Sequence, residues 1–335
     1  MIDLHNKTVI LSKINQIGDV IFSLPAASIL KKMYPSCKIV FLISYSKTKD
    51  LLSFATDVDE ILDYEELNGM SDQDAARVIS NLNADAVIHF LPNKRIAKLM
   101  HMAGVNIRVG TSARWYNLLY CNRFVYLRRS DSNLHESVLD MMLLKPFTGK
   151  KSYLKDEIEG VIRLKHESSN YLDPNKFNLI IHPKTRGEHI EWDLNNYANL
   201  IKSLPQDKFN IIVTGSLTEG EKIANDLLEP CKSIVTNLTG KTSLHDLIAL
   251  ISQADGLIAG STGPVHIAAA YGINTLGLYA PIKPFDSSRW GPIGLKATSL
   301  SVDKDCSYCR DGRSCLCVNE ITLQQVLAVI NSWLD

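Results

Sequence analysis

Short runs of β-branched and aliphatic residues recur along the chain, each bounded by polar or glycine-bearing segments, with helix-length stretches filling the gaps. The runs are Thr8 to Leu11, Lys38 to Ile43, Ala86 to Phe90, Asn178 to Ile181, Asn210 to Thr214, Ser233 to Thr236, Gly256 to Ile258 and Thr275 to Tyr279. Read as strands, they predict parallel sheets with helical crossovers. The alternation happens twice. Between the two series, Lys150 to Pro174 is polar and irregular, rich in Lys, Glu, Ser and Asn, with a turn at Asp173-Pro174; this predicts a connection between domains. The expected fold class is α/β, with two Rossmann-like domains facing across a cleft. The N-terminal one covers residues 1–170 and the C-terminal one 171–335, the last helix being left able to pack back on the first.

Composition narrows the classes of partner. At 335 residues the chain is too long for one compact core, and 36 basic against 36 acidic residues give no net charge, so no global field draws it to nucleic acid or to an anionic membrane. No stretch approaches the roughly twenty apolar residues of a membrane span. The start, Met1-Ile2-Asp3-Leu4-His5-Asn6-Lys7, carries an early acid and runs straight into a strand, unlike a cleavable signal peptide. A cytoplasmic location follows as the expectation. Seven cysteines do not make a secreted disulfide framework in a chain of this length.

Open parallel sheets bind ligands beyond the carboxyl ends of their strands, so the chemistry is sought just after the strands. Neither half shows G-x-G-x-x-G after its first strand, which disfavours a dinucleotide-dependent oxidoreductase. After the first strand, Gly18-Asp19 opens the helix Val20 to Lys32. The glycine permits a sharp turn, and Asp19 becomes a candidate base, the alternative being a plain helix cap. The segment Gly260-Ser261-Thr262-Gly263-Pro264-Val265-His266 runs from a strand into a small-residue helix. Its hydroxyls, glycines and free N–H groups suit a diphosphate, and His266 is able to turn a ring nitrogen toward it; the alternative is a tight structural turn with a packed histidine. Lys184, Thr185 and Arg186 follow another strand, where they are placed to neutralise a leaving diphosphate. Glu219 and Glu221 follow the next, where an acid is placed to hold ribose hydroxyls.

Taken together these segments resemble glycosyltransferase family 9, the ADP-heptose:lipopolysaccharide heptosyltransferases of GT-B architecture. The resemblance rests on Ile17-Gly18-Asp19-Val20 with Leu24-Pro25-Ala26, and on Ser261-Thr262-Gly263-Pro264-Val265-His266-Ile267-Ala268-Ala269-Ala270. Trp192, the turn Leu238 to Leu244, Tyr279-Ala280-Pro281 and Trp290-Gly291-Pro292 also stand in family order. It implies an inverting transfer that requires no metal or other cofactor. The base falls on Asp19 and the nucleotide-sugar contacts on Thr185, Glu221, Thr262, Gly263 and His266. Two positions depart from the family: Ser261 stands where members commonly carry Asp, and a lysine expected shortly after Thr185 is missing, leaving Lys184 as the nearest cation. Another nucleotide sugar, a protein acceptor, a GT-B epimerase or hydrolase, and a noncatalytic nucleotide-binding scaffold are the alternative readings.

The resemblance assigns the acceptor to the N-terminal domain. From Ala86 to Ser130 there are eight basic residues and no acid. Among them Lys94, Arg95, Lys98 and Arg114 are the candidate contacts to a phosphorylated or acidic glycolipid, with Trp115, Tyr116, Leu118, Leu119 and Tyr120 interleaved to touch lipid or sugar. A solvated basic surface with its aromatics in the core is the alternative. Membrane contact, if any, is expected to be peripheral, at the cytoplasmic face of the inner membrane. Near the C-terminus Cys306, Cys309, Cys315 and Cys317 crowd within twelve residues. Four thiols so close make a candidate structural zinc or iron site, although Cys315-x-Cys317 chelates less well than Cys-x2-Cys, and reactive thiols are the alternative. Some protein heptosyltransferases related to the family hold iron through such cysteines.

Overall fold

A computed structural model describes residues 1–334 except 45–47, 186–189, 284–285 and 305–315, and leaves out the side chain of Asp131. The chain divides into two compact units, Met1–Lys165 and His166–Asp335.

The first unit holds six parallel strands: β1 (Thr8–Ser12), β2 (Lys38–Ile43), β3 (Glu60–Asp63), β4 (Ala86–His89), β5 (Ile107–Thr111) and β6 (Arg123–Val125), in the order β3-β2-β1-β4-β5-β6. The second holds β7 (Phe177–His182), β8 (Phe209–Val213), β9 (Thr236–Asn237), β10 (Gly256–Gly260), β11 (Asn274–Leu278) and β12 (Ala297–Leu300), in the order β12-β11-β10-β7-β8-β9. Each is the doubly wound order, in which the chain starts at the centre, builds one side, then crosses to the other. The crossing leaves a switch point between β1 and β4 in one unit and between β7 and β10 in the other, where the connecting helices diverge and a crevice opens.

The central strands are apolar because helices cover both faces of a parallel sheet. Val9, Ile10 and Leu11 of β1 and every residue of β10 are buried. The edges differ. β3, β6 and β12 are short and half-covered, and β5 opens on the half-exposed Ile107-Arg108, so none of the four carries the continuous apolar run that marked the other strands. The final helix, Leu323–Asn331, is built into the second unit. Val326 and Ile330 join that unit's core, and Trp333 stacks on Phe177 at 6.2 Å.

Candidate functional site

At the first switch point, β1 runs out through Ser12 and Lys13, and the helix Ile17–Met33 begins four residues later. Gln16 holds the N-cap position and Asp19 is the third residue of the helix, so the capping alternative for Asp19 is not what the chain adopts. Its carboxylate belongs to a buried cluster instead. Lys13, almost wholly enclosed, places Nζ 3.0 Å from Asp140 Oδ2 and 3.8 Å from Asp19 Oδ1. Asp140 is completely buried, accepts from Ser23 Oγ at 2.7 Å and pairs with Arg129, which also pairs with the buried Glu136. Asp140 and Glu136 are one turn apart on the helix Glu136–Met142.

Among the described residues, Lys13 and Arg129 face the three carboxylates of Asp19, Asp140 and Glu136, one more than the cations. Burial works against ionising Asp140, but Lys13, Arg129 and Ser23 outweigh it and hold its pKa low. Asp19 goes the other way: burial first, then the Asp140 and Glu136 charges, raise its pKa against the pull of Lys13 and a hydrogen bond from Asn15. The excess therefore falls on the carboxylate that retains some exposure, 18% of its side chain. A carboxylate so placed is a better proton acceptor than an ordinary aspartate.

His89 ends β4 beside Ser12 in register. Both ring nitrogens and the Ser12 hydroxyl are buried without a hydrogen-bond partner, and burial, assisted by the Arg108 charge, pushes the imidazole down to about 4.

At the second switch point two loops meet. Thr185, just beyond β7, is buried, and its Cγ2 lies 3.1 Å from where a Cβ on Gly260 would sit, so glycine at the end of β10 admits the close approach. Glu191 holds this loop from one side. Its Oε1 accepts from Thr185 N at 2.7 Å and Thr185 Oγ1 at 3.0 Å, and its Oε2 pairs with Lys184. Beyond β10, Thr262 is the extended N-cap of the helix Gly263–Tyr271, yet its hydroxyl makes no cap bond, and Pro264 occupies the first turn. A helix start whose N-cap hydroxyl makes no cap bond presents donors of the kind that suit an anion. His266 is buried one turn in. Ser261 hydrogen-bonds the hydroxyl of buried Tyr279, which itself donates to Trp290 O at 3.0 Å.

Lys184, Thr185, Ser261, Thr262, Gly263 and His266 thus occupy the two loops that end β7 and β10. Glu221 lies on a third element, exposed on the helix Leu217–Ile223 that follows β8; the buried Glu219 uses its carboxylate in a capping box with Ser216. Arg186 lies outside the described residues, as do Cys306, Cys309 and Cys315; Cys317 opens the half-buried turn Cys317–Glu320. The proposed acceptor cations divide. Arg95 directs its guanidinium to Asp72 Oδ1 at 3.0 Å, to Tyr64 and to the carbonyls of Leu67 and Met70, and Lys98 reaches Asp72 Oδ2 at 2.9 Å. An acid upstream of the basic stretch pairs with both and offsets one of their two charges, so the stretch is not a positive face free of acids. Lys94 and Arg114 remain exposed, and Trp115, Leu118 and Leu119 stand outside the core, contrary to the buried alternative.

Sequence reasoning missed Lys13, Glu136, Asp140 and Glu191 as parts of a site, counted Arg129 only within the basic stretch and noted Tyr279 only for its place in family order. A lysine at the exit of a buried strand and two acids at i, i+4 in an otherwise apolar helix were the available signals.

The chain matches the family profile of glycosyltransferase family 9 (heptosyltransferase) over residues 75–317. A Haemophilus influenzae protein whose name stops at glycosyltransferase is 28% identical over 312 residues, covering 88% of this chain and 87% of that one. The lipopolysaccharide core heptosyltransferase OpsX of the same organism is 24% identical over 294 residues, covering 85% and 82%. The structure of E. coli ADP-heptose lipopolysaccharide heptosyltransferase II superposes with a TM-score of 0.75 at 20% identity, over 98% of each chain. The fold is therefore that of the GT-B glycosyltransferases, two Rossmann-like α/β units. This chain belongs to glycosyltransferase family 9, the heptosyltransferase family of lipopolysaccharide core synthesis, and is a glycosyltransferase.

Proposed function

We propose that the protein moves a heptose or a related sugar from an ADP-sugar to a lipopolysaccharide core or similar phosphorylated or acidic glycan, with inversion at the anomeric carbon. The observation that carries this reading is the carboxylate of Asp19, lifted in pKa by a buried cluster at a strand-end switch point. Asp19 takes the proton of the acceptor hydroxyl as its oxygen bonds to the anomeric carbon. The bond from that carbon to the diphosphate breaks and ADP leaves with the electron pair. General-base assistance is worth typically about 10²–10⁴-fold. Stabilisation of the leaving diphosphate is assigned to the second unit, where the start of the helix Gly263–Tyr271 and the hydroxyls of Thr185 and Thr262 supply donors. Lys184 is the nearby cation, shared with Glu191. In this scheme those groups meet the charge, and no metal or other cofactor takes part.

One observation favours a second reading of the donor. Ser261 is engaged with Tyr279 and carries no charge, so a sugar other than heptose fits if its recognition does not depend on an acid there. The acceptor side rests on Lys94 and Arg114. No helix among the described residues is long and apolar enough to cross a membrane. With a glycolipid acceptor, this reading assigns the reaction to the cytoplasmic face of the inner membrane.

The test is product mass spectrometry with a panel of ADP- and UDP-sugars and purified lipopolysaccharide core. The reading expects ADP release coupled to an acceptor heavier by one sugar, and near-complete loss of transfer in Asp19→Ala with ADP binding retained. Donor consumption without acceptor would make the protein a hydrolase or epimerase; undiminished turnover of the variant would remove Asp19 from the mechanism.

A further inference from the structure

The first unit carries an apolar patch on its β6 edge. Trp115 is 64% exposed, Leu118 59%, Leu119 61%, Phe124 45% and Tyr126 73%. Their placement has a common origin. The short helix Asn117–Tyr120 lies across β5 at Gly110, where an added Cβ would come within 2.8 Å of Cys121 Sγ and 2.9 Å of Asn117 Nδ2. Phe124 is the register partner of Gly110, so its ring projects from the same face of the sheet as that helix. Tyr126 follows two residues later, while Val125 and Leu127 between and after them are buried. The helix and the strand edge beside it thus both expose apolar side chains, and exposed apolar side chains gathered in this way mark an interaction site.

Charge says what covers it. Lys94 sits over the Trp115 ring at 5.1 Å and Arg114 adjoins it, both exposed; Arg123 stands exposed on the edge strand. Residues 86–130 contain no acid, and among the described residues Arg95, Lys98 and Arg129 pair with acids from outside it, Asp72, Asp140 and Glu136. Trp and Tyr among aliphatic residues, rimmed by arginine and lysine, match the boundary between headgroups and acyl chains of an anionic bilayer.

We propose that this face docks the protein on an anionic phospholipid surface, with Trp115, Leu118 and Leu119 entering the headgroup boundary and Arg114 and Arg123 meeting lipid phosphates. The inference adds a physical surface to the membrane-face reading above. It requires neither donor nor acceptor, so its failure is separable from failure of the transferase assignment.

The experiment sediments the full-length protein with vesicles of phosphatidylethanolamine and phosphatidylglycerol, and with phosphatidylcholine alone, in the absence of nucleotide and glycolipid. The expected result is binding to the anionic vesicles that weakens with salt, with neutral vesicles at least roughly ten-fold poorer. A Trp115→Ser/Leu118→Ser/Leu119→Ser variant should lose at least about ten-fold in partition. Arg114→Gln/Arg123→Gln should lose about five-fold per cation removed. All these side chains are exposed, so the melting temperature should stay within a degree or two of wild type and serve as the fold control. Equal binding to neutral vesicles, or wild-type sedimentation of the triple serine variant, overturns the proposal. So does failure to sediment combined with a change of oligomeric state in that variant, which would make the patch an interface between copies.

Discussion

Lys13 Nζ donates to Asp140 Oδ2 at 3.0 Å across 127 residues of sequence, inside a unit where both side chains are almost fully enclosed. Because Asp140 is the nearer carboxylate and is completely buried, it takes most of the lysine's charge, and Asp19 at 3.8 Å is left only partly compensated. Desolvated pairs of this kind are strong only while both partners remain, and here the surplus carboxylate is the one assigned to catalysis.

Asp19→Asn should therefore stabilise the protein while abolishing transfer. The native pKa of Asp19 is raised above its ordinary 3.8, so its favourable contribution is present below that value and is lost as pH rises through the higher native value. At neutral pH the charged form is a burden that asparagine removes, and each kcal/mol regained lifts Tm by roughly 2–4 °C in a chain of this size. The gain should shrink as pH is lowered toward 4. Melting curves of wild type and variant between pH 4 and 8 check this; a variant less stable than wild type at pH 7.5 would show that Asp19 is fully compensated.

A second pH effect has the opposite sign. His89 has an ordinary value of 6.5 and a native one of about 4, so stability is complete above 6.5 and drains away as pH falls toward 4. A shift of that size is worth about 3 kcal/mol. Replacing the ring by Phe or Gln should flatten the unfolding free energy between pH 6.5 and 4, read from urea titrations at each pH. An unchanged slope would mean that the imidazole gains a partner when it charges.

The buried centre of each sheet was legible in the sequence because parallel strands covered on both faces must be apolar, as β1, β7 and β10 are. The edges were not: β6 reads Arg-Phe-Val, and a strand with one neighbour needs little apolar surface. The segments carrying Asp19 and Thr262 were visible as glycine-bearing passages from a strand into a helix, although Gly18 and Asp19 lie within the helix's first turn. Their electrostatics were hidden, because local spacing says nothing about a lysine meeting an aspartate 127 residues away. The basic stretch misled for the same reason. Counting residues from Ala86 onward missed Asp72, which the fold carries across to Arg95 and Lys98.

Glu191 supports the proposed nucleotide loop without being one of its expected contacts. It accepts from the backbone and hydroxyl of Thr185 and pairs with Lys184, so Glu191→Ala releases both residues at once. Donor affinity should fall by roughly ten-fold, about 1.4 kcal/mol, while transfer at saturating donor changes less. Calorimetric titration with ADP measures the first and steady-state kinetics the second. Unaltered ADP affinity would place the nucleotide away from this loop.

Arg95 and Arg114 separate structural from recognising cations. The Arg95 guanidinium is held by Asp72, Tyr64 and loop carbonyls and stacks on the Tyr64 ring at 5.7 Å, so truncation leaves several polar groups without their donor. Arg95→Ala should lower stability by about 1–3 kcal/mol, with acceptor KM changed little in the fraction that remains folded. Arg114 is exposed, and its truncation should leave Tm untouched. Measured with a delipidated, water-soluble core oligosaccharide to exclude membrane effects, Arg114→Ala should raise acceptor KM several-fold without altering donor affinity. The reverse pattern, a KM effect from Arg95 and none from Arg114, would move acceptor recognition to the Asp72 side of the helix Lys94–Met102.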